Sequence, residues 1–185
     1  MRARSLWIVA LTIAVLAWAL GQARRASELR ANGPQGFDTT AARDTGRAEP
    51  LTVRLYFASP GGDSLLGETR TVSARPGLHG RVEVLVRELV RGARHGGVPL
   101  LPPGTSVRHV YVDHRGLMTL DLTPAFRDRF HGGSTAEYFA LGSLVRTLLD
   151  NVPEARRVRF ACAGEPLETL GGHFACDPPF ERADF

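Results

Sequence analysis

The sequence predicts a two-layer α+β domain: a mixed sheet of about four to six strands with two amphipathic helices on one face. Three observations carry that expectation. Leu51, Val53, Leu55 and Phe57 alternate with polar neighbours, as do Met118, Leu120 and Leu122, which marks strands with one buried face. Two longer segments, 80–94 and 134–150, instead repeat their apolar residues at helical spacing. Clusters such as Pro60-Gly61-Gly62 and Pro102-Pro103-Gly104 punctuate the intervals between them.

The first element is a targeting segment. Residues 1–21 place Arg2 and Arg4 ahead of an apolar run over residues 6–20 broken only by Thr12, the layout of a signal anchor or a signal peptide. Such a run rises about 22 Å as a helix against a hydrocarbon core of roughly 30 Å. Ala17-Trp18-Ala19 offers a cleavage site, whereas Trp7 and Trp18 suit an interfacial belt. Two locations stay open: the cytoplasmic membrane, single-pass with the C-terminal domain outside, or a secreted or periplasmic form after cleavage. Residues 22–50 have no apolar period and read as a flexible linker.

Charge is distributed unevenly. Residues 1–49 hold seven Arg and four acidic residues, and residues 50–185 hold sixteen and fifteen, so the folded part is close to neutral and no nucleic-acid partner is expected. All 23 basic residues are Arg. The absence of lysine excludes Schiff-base chemistry, P-loop lysines and Ser-Lys dyads.

The domain begins with the strand from Leu51, turns at Pro60 to Asp63, and continues in a weaker strand over 65–73 that extends or edges the sheet. The first helix buries Val82, Leu85, Val86, Leu89 and Val90, shows Arg87, Arg91 and Arg94 to solvent, and ends at Gly92, Gly96 and Gly97. Next comes a hairpin, 107–112 and 117–122 around Asp113 to Gly116, with Val107, His109 and Tyr111 on one face and Val110 and Val112 on the other. Thr123 is expected to cap a turn opened by Pro124, and Ser134 and Glu137 to form a capping box for the second helix. That helix buries Tyr138, Leu141, Val145, Leu148 and Leu149. Its far side carries Phe139 and Arg146, which are a candidate docking pair for a partner unless the 126–131 loop covers the ring. A strand over 157–162 turns at Gly164 into a short strand at Pro166, and the tail 176–185 is expected to lie over the surface or fray.

Five pieces recur here in a fixed order: Leu55-Tyr56-Phe57, Pro102-Pro103-Gly104-Thr105, Thr119-Leu120-Asp121-Leu122, Gly133-Ser134 with Glu137, and Leu167-Glu168-Thr169-Leu170-Gly171-Gly172. Over residues 51–175 the chain resembles the GerMN domain family of sporulation and spore germination proteins, in a single copy. The resemblance implies a compact βαββαβ order similar to ring-building motifs of envelope-spanning assemblies.

No catalytic constellation accompanies these elements. The six histidines show no HExxH spacing, His109 and Asp113 share a strand face without further ligands, and no metal or cofactor is expected. Asp121 has no partner carboxylate at a set spacing, and Ser143 lies mid-helix outside any Gly-x-Ser-x-Gly elbow. Cys162 and Cys176 either form one bridge outside the cytoplasm or remain a core thiol and a tail thiol. The expected function is a non-catalytic interaction or assembly module tethered to the membrane through residues 6–20, with an envelope protein or cell-wall component as partner and self-association left open. The alternative is an envelope enzyme or binder acting on cell-wall glycan or peptide, for which Asp121 and Glu168 are the residues to alter.

Overall fold

The computed structural model describes residues 48–185; the expected anchor and residues 22–47 of the expected linker lie outside them, and Glu49 and Pro50, expected at the end of the linker, instead open the first strand. Among the described residues, no helix is long and apolar enough to cross a membrane. In chain order the elements are β1 (Glu49–Ala58), β2 (Leu65–Ala74), α1 (Gly77–Arg91), β3 (Val107–Val112), β4 (Leu117–Leu122), a short α2 (Ala125–Asp128), α3 (Ser134–Asn151), β5 (Arg157–Cys162), β6 (Glu165–Pro166) and β7 (Phe180–Glu181).

The α+β class and the two main helices packed on sheet are as the sequence predicts, but the strands divide between two sheets. β1 and β2 form an antiparallel pair of their own, in register from Glu49 opposite Ala74 to Ala58 opposite Leu65. The second sheet runs in the order β3, β4, β5, β6, with β7 also paired to β5. β3 and β4 are the expected hairpin, whereas β4 and β5 are parallel and joined by the α2–α3 crossover. Alternation reports that a strand has a buried face; it does not report which neighbour takes its edge, and that is why the division was not legible.

Alternation also misplaces one residue. A bulge between Val107 and His109 shifts the β3 register, so Val107 joins Val110 and Val112 against the core while Tyr111 stays 65% exposed. Met118, Leu120, Leu122, Val158, Phe160 and Cys162 supply the β4–β5 part of the core. Helix α1 buries Val82, Leu85, Val86 and Leu89 in contact with both sheets, and stops at Gly92, whose φ of 93° is open to a residue without Cβ.

Helix α3 is buried on nearly every side, from Phe139 through Val145 and again from Thr147 to Leu149. It touches β1, α1 and β5 and so runs through the middle of the domain. The tail docks instead of fraying. Phe180 and Glu181 pair with β5, and the Phe185 ring lies 5.0 Å from that of Tyr138 and against Gly142.

Candidate interaction surface

The face of α3 that was expected to look outward is covered by β1. Ser143, Thr147 and Asn151, one helical turn apart, present small polar side chains along that face. The Ser143 hydroxyl donates to the Tyr56 carbonyl at 2.5 Å, and the Tyr56 N–H donates to Thr147 Oγ1 at 3.1 Å. One turn further on, the Arg54 N–H donates to Asn151 Oδ1 at 3.0 Å and Asn151 Nδ2 donates to the Arg54 carbonyl at 2.7 Å. The helix thus takes the place of a third strand. The Tyr56 hydroxyl completes the contact by donating to Asp150.

This arrangement decides the fate of the expected docking pair. Phe139 is 8% exposed, edge-on to Tyr138 at 5.2 Å, and borders an open groove of about 430 Å³ beside Ser59, Gly61, Gly62, Leu100 and Ala136. Arg146 turns inward, stacked 5.1 Å from the Tyr56 ring and donating to the Phe185 main-chain oxygen at 2.7 Å. The two side chains do not form a joint surface feature.

Edges matter more than that face. Ser59 N–H bonds the Ser64 carbonyl at 2.8 Å, and antiparallel alternation then points the backbone groups of Phe57, Leu55, Val53 and their opposites toward the shared ladder. Of the residues that point outward on β1, Arg54 and Tyr56 are engaged by α3 and the Ala58 carbonyl by the Val98 N–H at 2.8 Å, whereas Pro50 and Thr52 meet no partner among the described residues. On β2 the outward residues are Leu65, Gly67, Thr69, Thr71 and Ser73. Their backbone groups meet no protein partner among the described residues, and all but the half-buried Leu65 are exposed. The other edges are blunted, β3 by its bulge and β6 and β7 by their two-residue length.

Beside the N-terminal half of β2 lies a cleft of about 360 Å³ bounded by Phe57, Leu66, Gly67, Ala93, His95 and Gly97. Leu66 is 40% exposed at its rim. Beneath it, Arg70 is buried on the inner face of β2. Its guanidinium donates to Glu68 at 2.6 Å, to Glu88 at 3.0 Å and to the Gly92 carbonyl at 2.7 Å, and lies 5.3 Å from the Phe57 ring centre. The hydrogen bond from Arg70 outweighs burial and holds the Glu68 carboxyl down at about 2. Arg91 also donates to Glu88 at 2.6 Å, so that two guanidinium groups balance the two carboxylates, and Glu68 accepts the Arg94 N–H at 2.9 Å with the exposed His95 ring 3.8 Å away.

The remaining polar candidates hold loops. Asp121 accepts from the Gly164 N–H at 3.0 Å and from Arg108 at 3.1 Å, fixing the β5–β6 turn. Glu137 is not part of a capping box; no side chain caps α3. Its fully buried carboxylate accepts the N–H groups of Leu170, Gly171 and His173 at 3.0, 2.8 and 2.9 Å, with the His173 ring at 2.8 Å. Burial pushes its pKa up, but these donors prevail and leave it below the ordinary value. Gly171 is required there, because a Cβ would come within 2.9 Å of the Phe130 ring. Likewise Thr123 is no helix cap: its hydroxyl donates to the Gly104 carbonyl and accepts the Ser106 N–H, closing the Pro102-to-Thr105 loop.

Glu168 is exposed, and its carbonyl accepts the Cys176 N–H at 2.8 Å. Cys162 and Cys176 are buried free thiols, and burial raises Cys176 to about 12. Among the described residues no group of three or more His, Cys, Asp or Glu is placed to hold a metal ion. Sequence reasoning offered 65–73 as an edge strand but did not show that its outer side stays open, and it missed the α3 ladder. The latter had a readable signal in the i, i+4, i+8 spacing of Ser143, Thr147 and Asn151.

The family described as Germane, sporulation and spore germination, matches residues 54–168. Among solved structures, the tandem GerMN domains of the sporulation protein GerM from Bacillus subtilis are similar at a TM-score of 0.60 and 18% identity, with 74% of this chain and 48% of that one covered. This chain therefore spans about half the length of that tandem structure. The first GerMN domain of the same protein gives a TM-score of 0.59 at 16% identity, covering 72% of this chain and 98% of that chain. Comparison with curated proteins gave no match.

Proposed function

This chain belongs to the Germane, or GerMN, family of sporulation and spore germination domains, and from that premise we propose that it is a non-catalytic protein-interaction module of the cell envelope. In this reading the apolar run over residues 6–20 holds it to the cytoplasmic membrane, residues 22–47 act as a tether, and the single GerMN domain is displayed on the outer side. Its partner is an envelope protein or a component anchored in the cell wall.

One observation carries the proposal. The domain covers the Arg54–Tyr56 stretch of the β1 edge with three helix side chains yet leaves the ten-residue β2 bare beside an exposed Leu66 and a cleft. Asp121, Glu137, Glu68 and Glu88 are meanwhile committed to backbone amides and guanidinium groups, as befits carboxylates that position loops.

The test is in-cell cross-linking from photoreactive residues placed at exposed sites over the whole domain. Envelope proteins trapped above background are expected. If no site traps an envelope protein, the proposal fails. Fractionation with and without a signal-peptidase inhibitor separates an anchored chain from a cleaved one.

A further inference from the structure

Resting on that interaction role, we propose that the outer edge of β2 is the binding site itself. Its ligand is an extended segment of a partner protein that adds to β2 as a strand, drops an aliphatic side chain into the adjoining cleft and sets an acidic residue beside Arg94 and His95.

Backbone arithmetic comes first. Leu65, Gly67, Thr69, Thr71 and Ser73 turn their N–H and C=O groups away from β1, offering an incoming strand alternating donors and acceptors along the full edge. Nothing on the strand deters such pairing. It contains no proline and no bulge, and its two charged side chains, Glu68 and Arg70, are bound to each other instead of projecting from the edge.

The cleft supplies selectivity. Phe57, Leu66, Ala93 and Gly97 give it apolar walls, Glu68 and His95 are the ionisable groups in its lining, and its position along Leu66 to Thr69 puts it under alternate residues of an added strand. Charge supplies the rest. Around it Arg70 and Arg91 balance Glu68 and Glu88, and the exposed Arg94, whose backbone N–H bonds Glu68 at 2.9 Å, adds one positive charge before His95 is counted. An acidic segment is therefore favoured over a basic one.

A second copy of this chain fits less well. Paired edge to edge, its β2 would bring Arg70, Val72 and Ala74 on the cleft side, and all three are already buried in that copy's own core. The cleft would stay empty.

The experiment uses the full chain in detergent micelles and synthetic strand-forming heptapeptides that alternate Thr and Val around a central Leu. Three versions carry Asp, Asn or Arg two positions after the Leu, so that this side chain shares the face of the Leu. Binding is read by anisotropy, and location by amide hydrogen exchange. The acidic peptide is expected to slow exchange at Gly67, Thr69 and Thr71 and to bind about tenfold more tightly than the basic one. Methylating the peptide nitrogens on one edge should abolish binding while methylating the other edge leaves it. Thr69→Pro should abolish binding without unfolding the domain, because the Thr69 N–H is not part of the β1 ladder. A retained peptide affinity in Thr69→Pro, or no effect of any peptide on the β2 amides at millimolar concentration, overturns the proposal. Protection before any peptide is added overturns it as well. If that protection rises with protein concentration, the edge belongs to a second copy; if it does not, it belongs to this chain's own residues 22–47. Envelope cross-links obtained alongside a peptide-insensitive β2 would leave the interaction role standing and move it to another surface.

Discussion

Asn151 brackets Arg54, accepting from its N–H at 3.0 Å and donating to its carbonyl at 2.7 Å, the same two bonds a neighbouring strand residue would exchange with it. Thr147 and Ser143 extend the substitution to Tyr56, where both bonds are buried. A buried donor left without an acceptor costs about 1–3 kcal/mol. Thr147→Val should therefore lower unfolding free energy in urea by that much, with Thr147→Ser recovering most of it. Asn151→Ala, at a more exposed pair, should cost about 1 kcal/mol.

Glu137 ties the start of α3 to the Leu170–His173 loop through three amides and a ring nitrogen. Glu137→Leu should destabilise the domain by about 3–5 kcal/mol, since it strands several donors at once. Glu137→Gln retains an acceptor oxygen and should cost less. In both, amide exchange of residues 170–173 should quicken ahead of the rest of the domain. Gly171→Ala should reproduce part of this through its clash with Phe130.

Acid stability should depend on Glu68. Its pKa falls from 4.5 to about 2 on folding, principally through the Arg70 hydrogen bond. A depressed carboxyl stabilises the native state fully above its unfolded pKa, and that contribution is lost as pH falls through the folded value. Urea midpoints should therefore decline between about pH 4.5 and about pH 2. Replacing Glu68 by Gln should lower stability at neutral pH and flatten the decline, although Glu137, shifted in the same direction, will leave some slope.

Cys176 should resist alkylation in the native protein. Burial raises its thiol to about 12, so almost no thiolate exists near neutrality. Iodoacetamide labelling followed by mass spectrometry should show modification of Cys176 only on the timescale of unfolding. Rapid native labelling would mean that the 167–177 segment opens locally.

Much of the fold was legible because its signals are local. The two helices, the β3–β4 hairpin and the strand from Arg157 announce themselves through period and turn residues. What escaped depends on pairings distant in sequence. Phe139 and Arg146 belong to an outward face by helical period alone, and period says nothing about a strand that crosses at Arg146 from 90 residues earlier in the chain. Glu137 fitted a capping box by spacing, yet a loop more than thirty positions downstream competed successfully for its carboxylate. The tail shows no period at all, so its docking through Phe180 and Phe185 left no pattern to read. An open edge is an absence of pairing, legible only once the neighbours are known.

The α3 ladder also has a consequence in time. Its bonds join residues 87, 91 and 97 positions apart, so β1 is among the first elements synthesised and among the last to be secured. During translation the β1–β2 hairpin must wait for nearly the whole domain, with both of its flanks unpaired. Assembly should therefore be slow for a domain of this size, and its early intermediates should be the state most in need of a chaperone.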